Sequence, residues 1–362
     1  MPLSGEKTMQ PNSLTLALVL SFSACGPALA DPIADFYHGK QIQFVIRTGV
    51  GGGYDQYSRL LARHIGAHIP GDPTVLPVNM PGGGGIVSAN YVANIAPKDG
   101  TILTMVSQGL PTDQALGLNK SLRADLRTFN WIGNMSTSNQ VLVVWHTSKT
   151  QTLDDARRRE TVIGTTGAGS ISVQLPALYN NVLGMKLKII FGYPDEGVNP
   201  AMEREEVEGR GTNTWASYKS FTPQYVSQKL IIPILQVGMK KDPELPDVPL
   251  MRDQAKNPQD QEILDYMSRA VSVGRPVATT PGVPADRVAA LRKAFDDTLK
   301  DPDFIRDAAT ERAEISPMSG AELAQVVAGL INAPQDLRDR VKDAIEPRDA
   351  QEFEGGKKSG GD

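Results

Sequence analysis

Ile42-Gln43-Phe44-Val45-Ile46-Arg47-Thr48-Gly49-Val50-Gly51-Gly52-Gly53-Tyr54-Asp55 is the stretch on which the fold turns. Its first six residues are mostly apolar and β-branched, the pattern of a buried strand, and the glycine run ends that strand. From Tyr54 the period becomes helical, with Leu61, Ile65 and Ile69 at i, i+4 and i+8. Pro70-Gly71 stops the helix. The segment thus reads as strand, glycine turn, helix.

The same grammar recurs. Thr74 to Val78 is strand-like, Pro81-Gly82-Gly83-Gly84-Gly85 is the turn, and Ile86 to Ile95 is helical. Pro97-Lys98-Asp99-Gly100 then leads into an apolar strand, Thr101 to Val106. The middle of the chain restarts with a strand at Gln140 to Trp145. Val162-Ile163-Gly164 follows, then the loop Thr165-Thr166-Gly167-Ala168-Gly169-Ser170 and a helix striped by Ile171, Leu175, Leu178 and Val182. Leu187 to Phe191 and Leu230 to Val237 read as strands, Pro233 marking a sheet edge or a gap in the ladder. Val271 to Ala278 reads as one more strand. Two closing helices are expected, one striped by Val288, Leu291, Phe295 and Leu299, the other opened by the capping box Ser319-Gly320-Ala321-Glu322. Such alternation builds largely parallel sheets covered by helices.

At 362 residues the chain is long enough for two lobes, at about 150 residues per domain. It is 40% hydrophobic and 22% charged, which is ordinary for a folded soluble protein. Lys plus Arg number 37 against 41 for Asp plus Glu, so no global attraction draws it to nucleic acid. A single cysteine excludes a disulfide framework and a multi-cysteine zinc site, and four histidines leave little room for histidine-based metal chemistry. No cofactor and no metal are expected.

The N-terminus reads as an export signal. Leu14 to Cys25 is an apolar stretch of 12 residues, short of the roughly 20 that span a bilayer. Ala28-Leu29-Ala30 follows as a small-x-small cleavage pattern, which would leave Asp31 at the mature N-terminus. Residues 1–30 are thus expected to be a signal peptide and the mature protein to be periplasmic. A lipoprotein anchored through Cys25 is the alternative, with Phe22 standing where leucine is preferred.

The three glycine-rich turns carry the chemistry. Each lies where a strand feeds a helix, so it exposes the first unpaired helical N–H groups, with about half a positive charge from the dipole. Anions bind there without lysine or arginine when the backbone can be approached closely. The competing reading is tight turns that need positive φ. Gly49-Val50-Gly51-Gly52-Gly53-Tyr54 fails the dinucleotide fingerprint, because Tyr54 occupies the third glycine position. Neither a phosphate-cradling G-x-x-x-x-G-K-[ST] loop nor a G-x-S-x-G elbow occurs. Carboxylates remain as the expected anion. His64 and His68, at i and i+4, could suit a metal or a solvated face; Glu203, Glu205, Glu206 and Glu208 read as solvated; Trp215 could pack in the core or wall a cleft.

In order and spacing these segments resemble the periplasmic solute receptors of tripartite tricarboxylate transporters, the Bug family. Gly51-Gly52-Gly53-Tyr54-Asp55 is similar to that family's P-G-G-G-T-D loop, and Asn79 to Gly85 to its E-N-R-P-G-A-G-G segment. Pro97 to Thr101 resembles P-D-G-Y-T, and Gly164 to Ser170 resembles G-T-P-G-x-G-S. Leu245-Pro246-Asp247-Val248-Pro249 resembles P-D-V-P, and Pro281-Gly282-Val283-Pro284 the G-T-P turn. Tyr54, Met80 and Gly192-Tyr193-Pro194-Asp195 depart from the pattern.

The resemblance implies a type II periplasmic-binding-protein fold, two α/β lobes with mixed sheets joined by crossing strands near Asn139 to Val143 and Val271 to Ala278. Lobe 1 would be residues 31–140 plus 273–346, lobe 2 residues 141–272, and 347–362 a disordered tail. The implied function is non-enzymatic. A small carboxylate would be gripped between glycine loops, largely by backbone amides and water, and delivered by a monomer to integral membrane transporter subunits. The expected ligand contacts are Gly52, Gly53, Tyr54, Asp55, Ser107, Gln108, Thr165, Thr166, Gly167, Gly169, Ser170 and Asn213. Asp55 would orient its loop or accept a ligand donor, and Thr165, Thr166 and Ser170 would supply hydroxyls. An exported enzyme using Asp55 or Asp195 as base, and a signalling receptor of the same fold, are the rival readings.

Overall fold

The computed structural model describes residues 31–166, 170–194, 197–348 and 350–352, with Gly5. The expected cleavage site at Ala28-Leu29-Ala30, Cys25, Gly167, Gly169 and Asp195 lie outside the described residues. Among those described, no helix is long and apolar enough to cross a membrane.

After the short helix α1 (Pro32–Tyr37), the deciding stretch folds as β1 (Gln41–Ile46) and α2 (Gly52–Ile65). β1 exposes Gln41 and Gln43 at its start and buries Ile42, Phe44, Val45 and Ile46, so it is fully covered only in its second half, next to the glycine turn. It pairs in parallel with β2 (Thr74–Asn79) and β3 (Ile102–Met105), and α3 (Ile86–Asn94) connects those two. The helix α4 (Leu110–Leu116) leads to β4 (Asn130–Asn134). β10 (Pro276–Thr279) returns from the far end of the chain to lie antiparallel between β3 and β4. With the two-residue β11 (Met318–Ser319), the first sheet has the order β11-β4-β10-β3-β1-β2.

The second lobe repeats the plan. It holds β5 (Gln140–Trp145), α5 (Leu153–Arg158), β6 (Thr161–Gly164), α6 (Ile171–Leu183), β7 (Leu187–Phe191), α7 (Val198–Glu203), β8 (Gly209–Thr214), α8 (Trp215–Phe221), α9 (Pro223–Ser227) and β9 (Ile231–Val237). The sheet order is β12-β7-β6-β8-β5-β9, where β12 is Gln351–Glu352. β6, β7 and β8 run parallel, while β5 is antiparallel to both β8 and β9. Both sheets are thus mixed, two α/β lobes as the resemblance implies. Pro233 sits on the edge strand β9, opposite a register shift in β5, where its missing N–H costs least.

Three sequence expectations change. Val271 and Ser272 close the helix α10 (Pro258–Ser272) instead of opening a strand. The β-branched Val271 belongs to a buried helical face with Ile263, Leu264, Met267 and Ala270, and extended pairing begins only at Pro276. The two closing helices are four: α11 (Ala285–Thr298), α12 (Pro302–Thr310), α13 (Gly320–Ile331) and α14 (Gln335–Ala344). Ser319 and Glu322 form the expected capping box at the start of α13. Finally, Gln351–Glu352, within the stretch expected to be a disordered tail, adds to the second sheet as β12, parallel to β7.

The first lobe packs Phe44, Ile46, Leu60, Leu61, Ile65 and Phe295 into one core, and the second packs Val141, Trp145, Tyr218 and Tyr225 into another. A third cluster runs through both lobes, joining Val45 and Trp131 to Leu142, Leu178 and Ile189 by way of α10, α13 and α14. Besides the late passage from β11 in the first sheet to β12 in the second, the chain crosses between lobes just after β4 and just before β10. These crossings are laced together: Arg275 N–H donates to Asn134 Oδ1 at 2.7 Å and Ser136 O at 3.1 Å, and Met135 N–H donates to Arg275 O at 3.1 Å. Gly274 has φ +59°, and a Cβ there would lie 1.9 Å from Ser136 O, so no side chain fits at the crossing.

Candidate functional site

At the crossings a narrow crevice opens between the lobes. Its lining includes Tyr57, Gln108, Ser136 and Arg275 on one side and Ser138, Thr214, Ser217 and Ser220 on the other, with a volume of about 10 Å³. That is room for about one water molecule, so a larger guest requires the lobes to part. None of the lining residues is acidic. A roomier cavity, about 300 Å³, lies between α4, α6 and the end of α14. Asp113 and Glu346 line it against a single cation, Lys342, so an incoming carboxylate would meet two acids. The crevice is the better place for an anion.

The first glycine turn is organised from within. Asp55, buried in the first turn of α2, accepts Gly51 N–H at 2.9 Å, Asn79 Nδ2–H at 2.8 Å and Arg59 Nε–H at 2.9 Å. Burial disfavours its charge, but these donors more than offset that and hold the carboxyl below its usual pKa. Asp55 therefore orients the loop, and its acceptor sites are already taken. Gly51 and Gly52 adopt positive φ, at 90° and 78°. Gly53 serves a different need: a Cβ there would lie 2.9 Å from Arg275 Nη2. The close approach that the sequence reading reserves for a ligand is here made by an arginine.

Tyr54, on the next position, is buried at 8% exposure and its hydroxyl accepts the Gln108 N–H at 3.1 Å. The guanidinium carbons of Arg47 and Arg275 lie 3.8 Å and 4.4 Å from its ring centre. Arg47 is also held by a 2.8 Å bond from Nη1 to Gly84 O, in the second glycine turn. Burial alone would raise the Tyr54 phenol; Arg47, Arg275 and the Gln108 N–H outweigh it and bring the pKa below its ordinary value. The region is electropositive around a buried ring. Ser107, beside Gln108, is buried behind Gly85.

In the second lobe, Thr165 spends its hydroxyl on Ile190 O at 3.3 Å. Thr166, Ser170 and Ser172 form a closed hydroxyl cluster, with mutual distances of 3.0, 2.6 and 2.7 Å, and Ser172 also accepts Thr166 N–H. Asn213 accepts the Thr214 N–H at 3.0 Å at the end of β8. Tyr54 and Gln108 are thus brought together with Gly53 around Arg275, whereas Thr166 and Ser170 form their own group. Of the expected residues that are described, Gln108 lines the crevice itself.

Sequence reasoning missed Arg275, Arg47, Ser136, Ser138 and Ser172. The one available signal was a lone cation, Gly274-Arg275-Pro276, inside an otherwise apolar run. Other candidates resolve as structural parts. His64 Nε2 meets Asp307 at 3.0 Å, tying α2 to α12, and His68 Nε2 in the turn after α2 meets Asp301, the N-cap of α12, at 2.9 Å. Trp215 is core, 5% exposed, with its indole N–H given to Glu244 at 2.8 Å. Glu208 is not simply solvated, since it pairs with Arg159 at 2.9 Å and accepts Val162 N–H at 3.0 Å.

Comparison with known proteins yields no matching family model and no matching curated relative. Solved structures do match. The periplasmic binding protein BugD aligns with a TM-score of 0.64 at 19% identity, over 87% of this chain and 100% of its own. A TctC solute-binding protein from Polaromonas gives 0.63 at 18% identity, over 85% and 99%. MatC from Rhodopseudomonas palustris, solved with bound malate, gives 0.61 at 20%, over 85% and 99%. Two mixed-sheet lobes laced at paired crossings, with this agreement along nearly the whole of each partner, make the fold of this chain that of the TctC and Bug solute-binding proteins.

Proposed function

We propose that the protein is an exported solute-binding receptor that captures a small carboxylate between its lobes and presents it to membrane transporter subunits. The observation that carries this reading is the crevice at the crossings, where hydroxyls, an amide and one guanidinium stand beside the apolar Ala216 and Phe221 and no side chain is acidic. A carboxylate is the guest that such a lining complements, since charge-assisted hydrogen bonds to it are about twice as strong as neutral ones. The shared fold with MatC, whose structure holds malate, supports the same ligand class. Closure of the lobes over the guest would create the surface that a permease recognises, the bound form being favoured by contacts to both lobes. The second-lobe loop from Thr165 to Ser170 remains part of the proposed grip, with its Gly167 and Gly169 amides.

A thermal-shift screen against a panel of carboxylic acids tests the reading. Ligand at 100 times its Kd adds about 2.7 kcal/mol to stability, which is several degrees of melting temperature. The acid must be recovered unchanged after incubation; turnover would replace the receptor with an exported enzyme. Mass spectrometry of exported material should find Asp31 as the first residue. A Cys25 lipid adduct would replace the soluble receptor with an anchored one.

A further inference from the structure

We propose that Arg275 is the carboxylate anchor of the cleft, binding one carboxylate of the solute by direct guanidinium hydrogen bonds. The inference rests on the receptor reading and departs from what the family resemblance implies, a grip by backbone amides and water.

Four observations on Arg275 converge. It lines the crevice, and among the described residues its buried Nε has no hydrogen-bond partner and no acid pairs with it. A guanidinium in that state carries a large unmet demand for an acceptor. Second, its contacts are with π faces: its Cζ lies 4.4 Å from the Tyr54 ring centre and 5.6 Å from that of Tyr57. Ring contacts of this kind use none of the guanidinium N–H groups as hydrogen-bond donors, and arginine can bind two carboxylate oxygens at once through them. Third, the backbone of Arg275 is fixed by its bonds to Asn134, Ser136 and Met135, so the anchor is preorganised where the lobes join. Fourth, Gly53 leaves the gap that Nη2 occupies at the start of α2, which adds the dipole of a 14-residue helix to the positive field.

The second lobe completes the site. Ser138 and Ser217 line the crevice opposite Arg275, and Ser217 shares a 2.5 Å hydrogen bond with Thr214. These hydroxyls suit the far end of a short hydroxy acid or dicarboxylic acid. Because Arg275 sits on the crossing itself, it can hold the anion while the lobes are still apart, and closure then adds the hydroxyls.

The test is calorimetric titration of the purified protein with malate, succinate and adipate, with inorganic phosphate alongside, repeated on Arg275→Gln and Arg275→Lys. The half-amide of whichever acid binds is titrated as well. Arg275→Gln should weaken that acid about 10- to 100-fold, as expected for one lost charged hydrogen-bonding group. Arg275→Lys should fall between, since it keeps the charge and loses the fork. The preference for the acid over its half-amide should shrink in both variants, which a merely structural arginine would not cause. If the wild type binds an acid and folded Arg275→Gln binds it equally well, the anchor is wrong and the receptor reading stands. If Arg275→Gln does not fold, an unaltered half-amide ratio in Arg275→Lys overturns the anchor. Phosphate preferred over every acid overturns the carboxylate assignment, and a wild type that binds none of the acids overturns both the anchor and the receptor reading.

Discussion

The side-chain amide of Asn79, at the end of β2, donates to the carboxylate of Asp55 in the first turn of α2 across 2.8 Å. Two strand-to-helix turns, apart in sequence and adjacent in space, are joined through this pair. Asn79 also donates to Thr48 O at 2.9 Å, so it spans the mouth of the first turn.

Asp55→Asn should therefore loosen both glycine turns. The variant keeps the shape but turns one acceptor into a donor that faces the Arg59 guanidinium and the Gly51 N–H. A loss on the order of 1–3 kcal/mol is expected near pH 7. The sign with pH follows from the lowered carboxyl pKa: the stabilisation is present above the unfolded value of about 3.9 and is lost as pH falls through the folded value. Urea denaturation at pH 7 and pH 3 should show the gap between variant and wild type narrowing at the lower pH. An equal gap at both would show that the charge of Asp55 contributes nothing.

Asp113 predicts the reverse behaviour. It sits on α4 of the first lobe, where burial raises its carboxyl to about 6, and the Gln174 side chain from α6 of the second lobe hydrogen-bonds to it and only partly opposes that. With the folded pKa raised, wild-type stability is fullest below about pH 4 and falls as pH rises through about 6. Asp113→Asn keeps an acceptor for Gln174 and removes the buried charge. The variant should match the wild type near pH 4 and exceed it at pH 7, by up to an amount on the order of 2 kcal/mol. Denaturation curves at the two pH values decide this; a variant less stable at pH 7 would mean that Asp113 is held by a cation in solution.

Much of the fold was legible where apolar period and glycine turns coincide. β1, β2 with α3, and β6 with α6 appear within a residue or two of their expected bounds. The helix α2 starts where expected but ends at Ile65, short of the expected Ile69, because a 3-10 turn at Gly66–His68 replaces its last turn. β4 and β8 were not legible. Asn130-Trp131-Ile132-Gly133-Asn134 and Gly209-Arg210-Gly211-Thr212-Asn213-Thr214 place glycines where other elements press close, and so lack the apolar run that marks a strand. A Cβ at Gly209 would lie 2.3 Å from Val143 O, and one at Gly211 would lie 2.5 Å from the Pro176 ring. The glycine loops were found, but not what fills them. Arg275 carries no motif, and its meeting with Tyr54 exists only once β10 has returned to pair with β3.

Gly133 gives a direct test of that close packing. A Cβ added there would fall 2.1 Å from Phe295 Cε1, and Phe295 is wholly buried in the first-lobe core. Gly133→Ala should destabilise by about 1–3 kcal/mol or more through overpacking. Adding Phe295→Leu makes room, so the double variant should be more stable than the sum of the two single losses allows. Additive losses would show that β4 shifts to relieve the clash. Ligand affinity in folded Gly133→Ala should stay near wild type, because the strain lies on the face of the sheet that packs against α11.

Gly274→Ala should instead affect binding and stability together. Gly274 occupies left-handed backbone at φ +59°, and its added Cβ would stand 1.9 Å from Ser136 O and 3.1 Å from Asn134 Nδ2. Positive φ alone costs a non-glycine residue about 1 kcal/mol or more. The clash adds to that by forcing the two crossings apart. Arg275 takes its position from those same neighbours, through its N–H bonds to Asn134 Oδ1 and Ser136 O. Movement of Ser136 therefore moves the guanidinium away from Tyr54 and from the crevice. The expected outcome is a lowered unfolding midpoint together with at least about a tenfold loss of carboxylate affinity in the protein that remains folded. Calorimetry and circular dichroism on the same sample separate the two effects. Wild-type affinity in a destabilised Gly274→Ala would mean that the ligand does not sense the crossing, and the cleft chemistry would have to be sought away from Arg275.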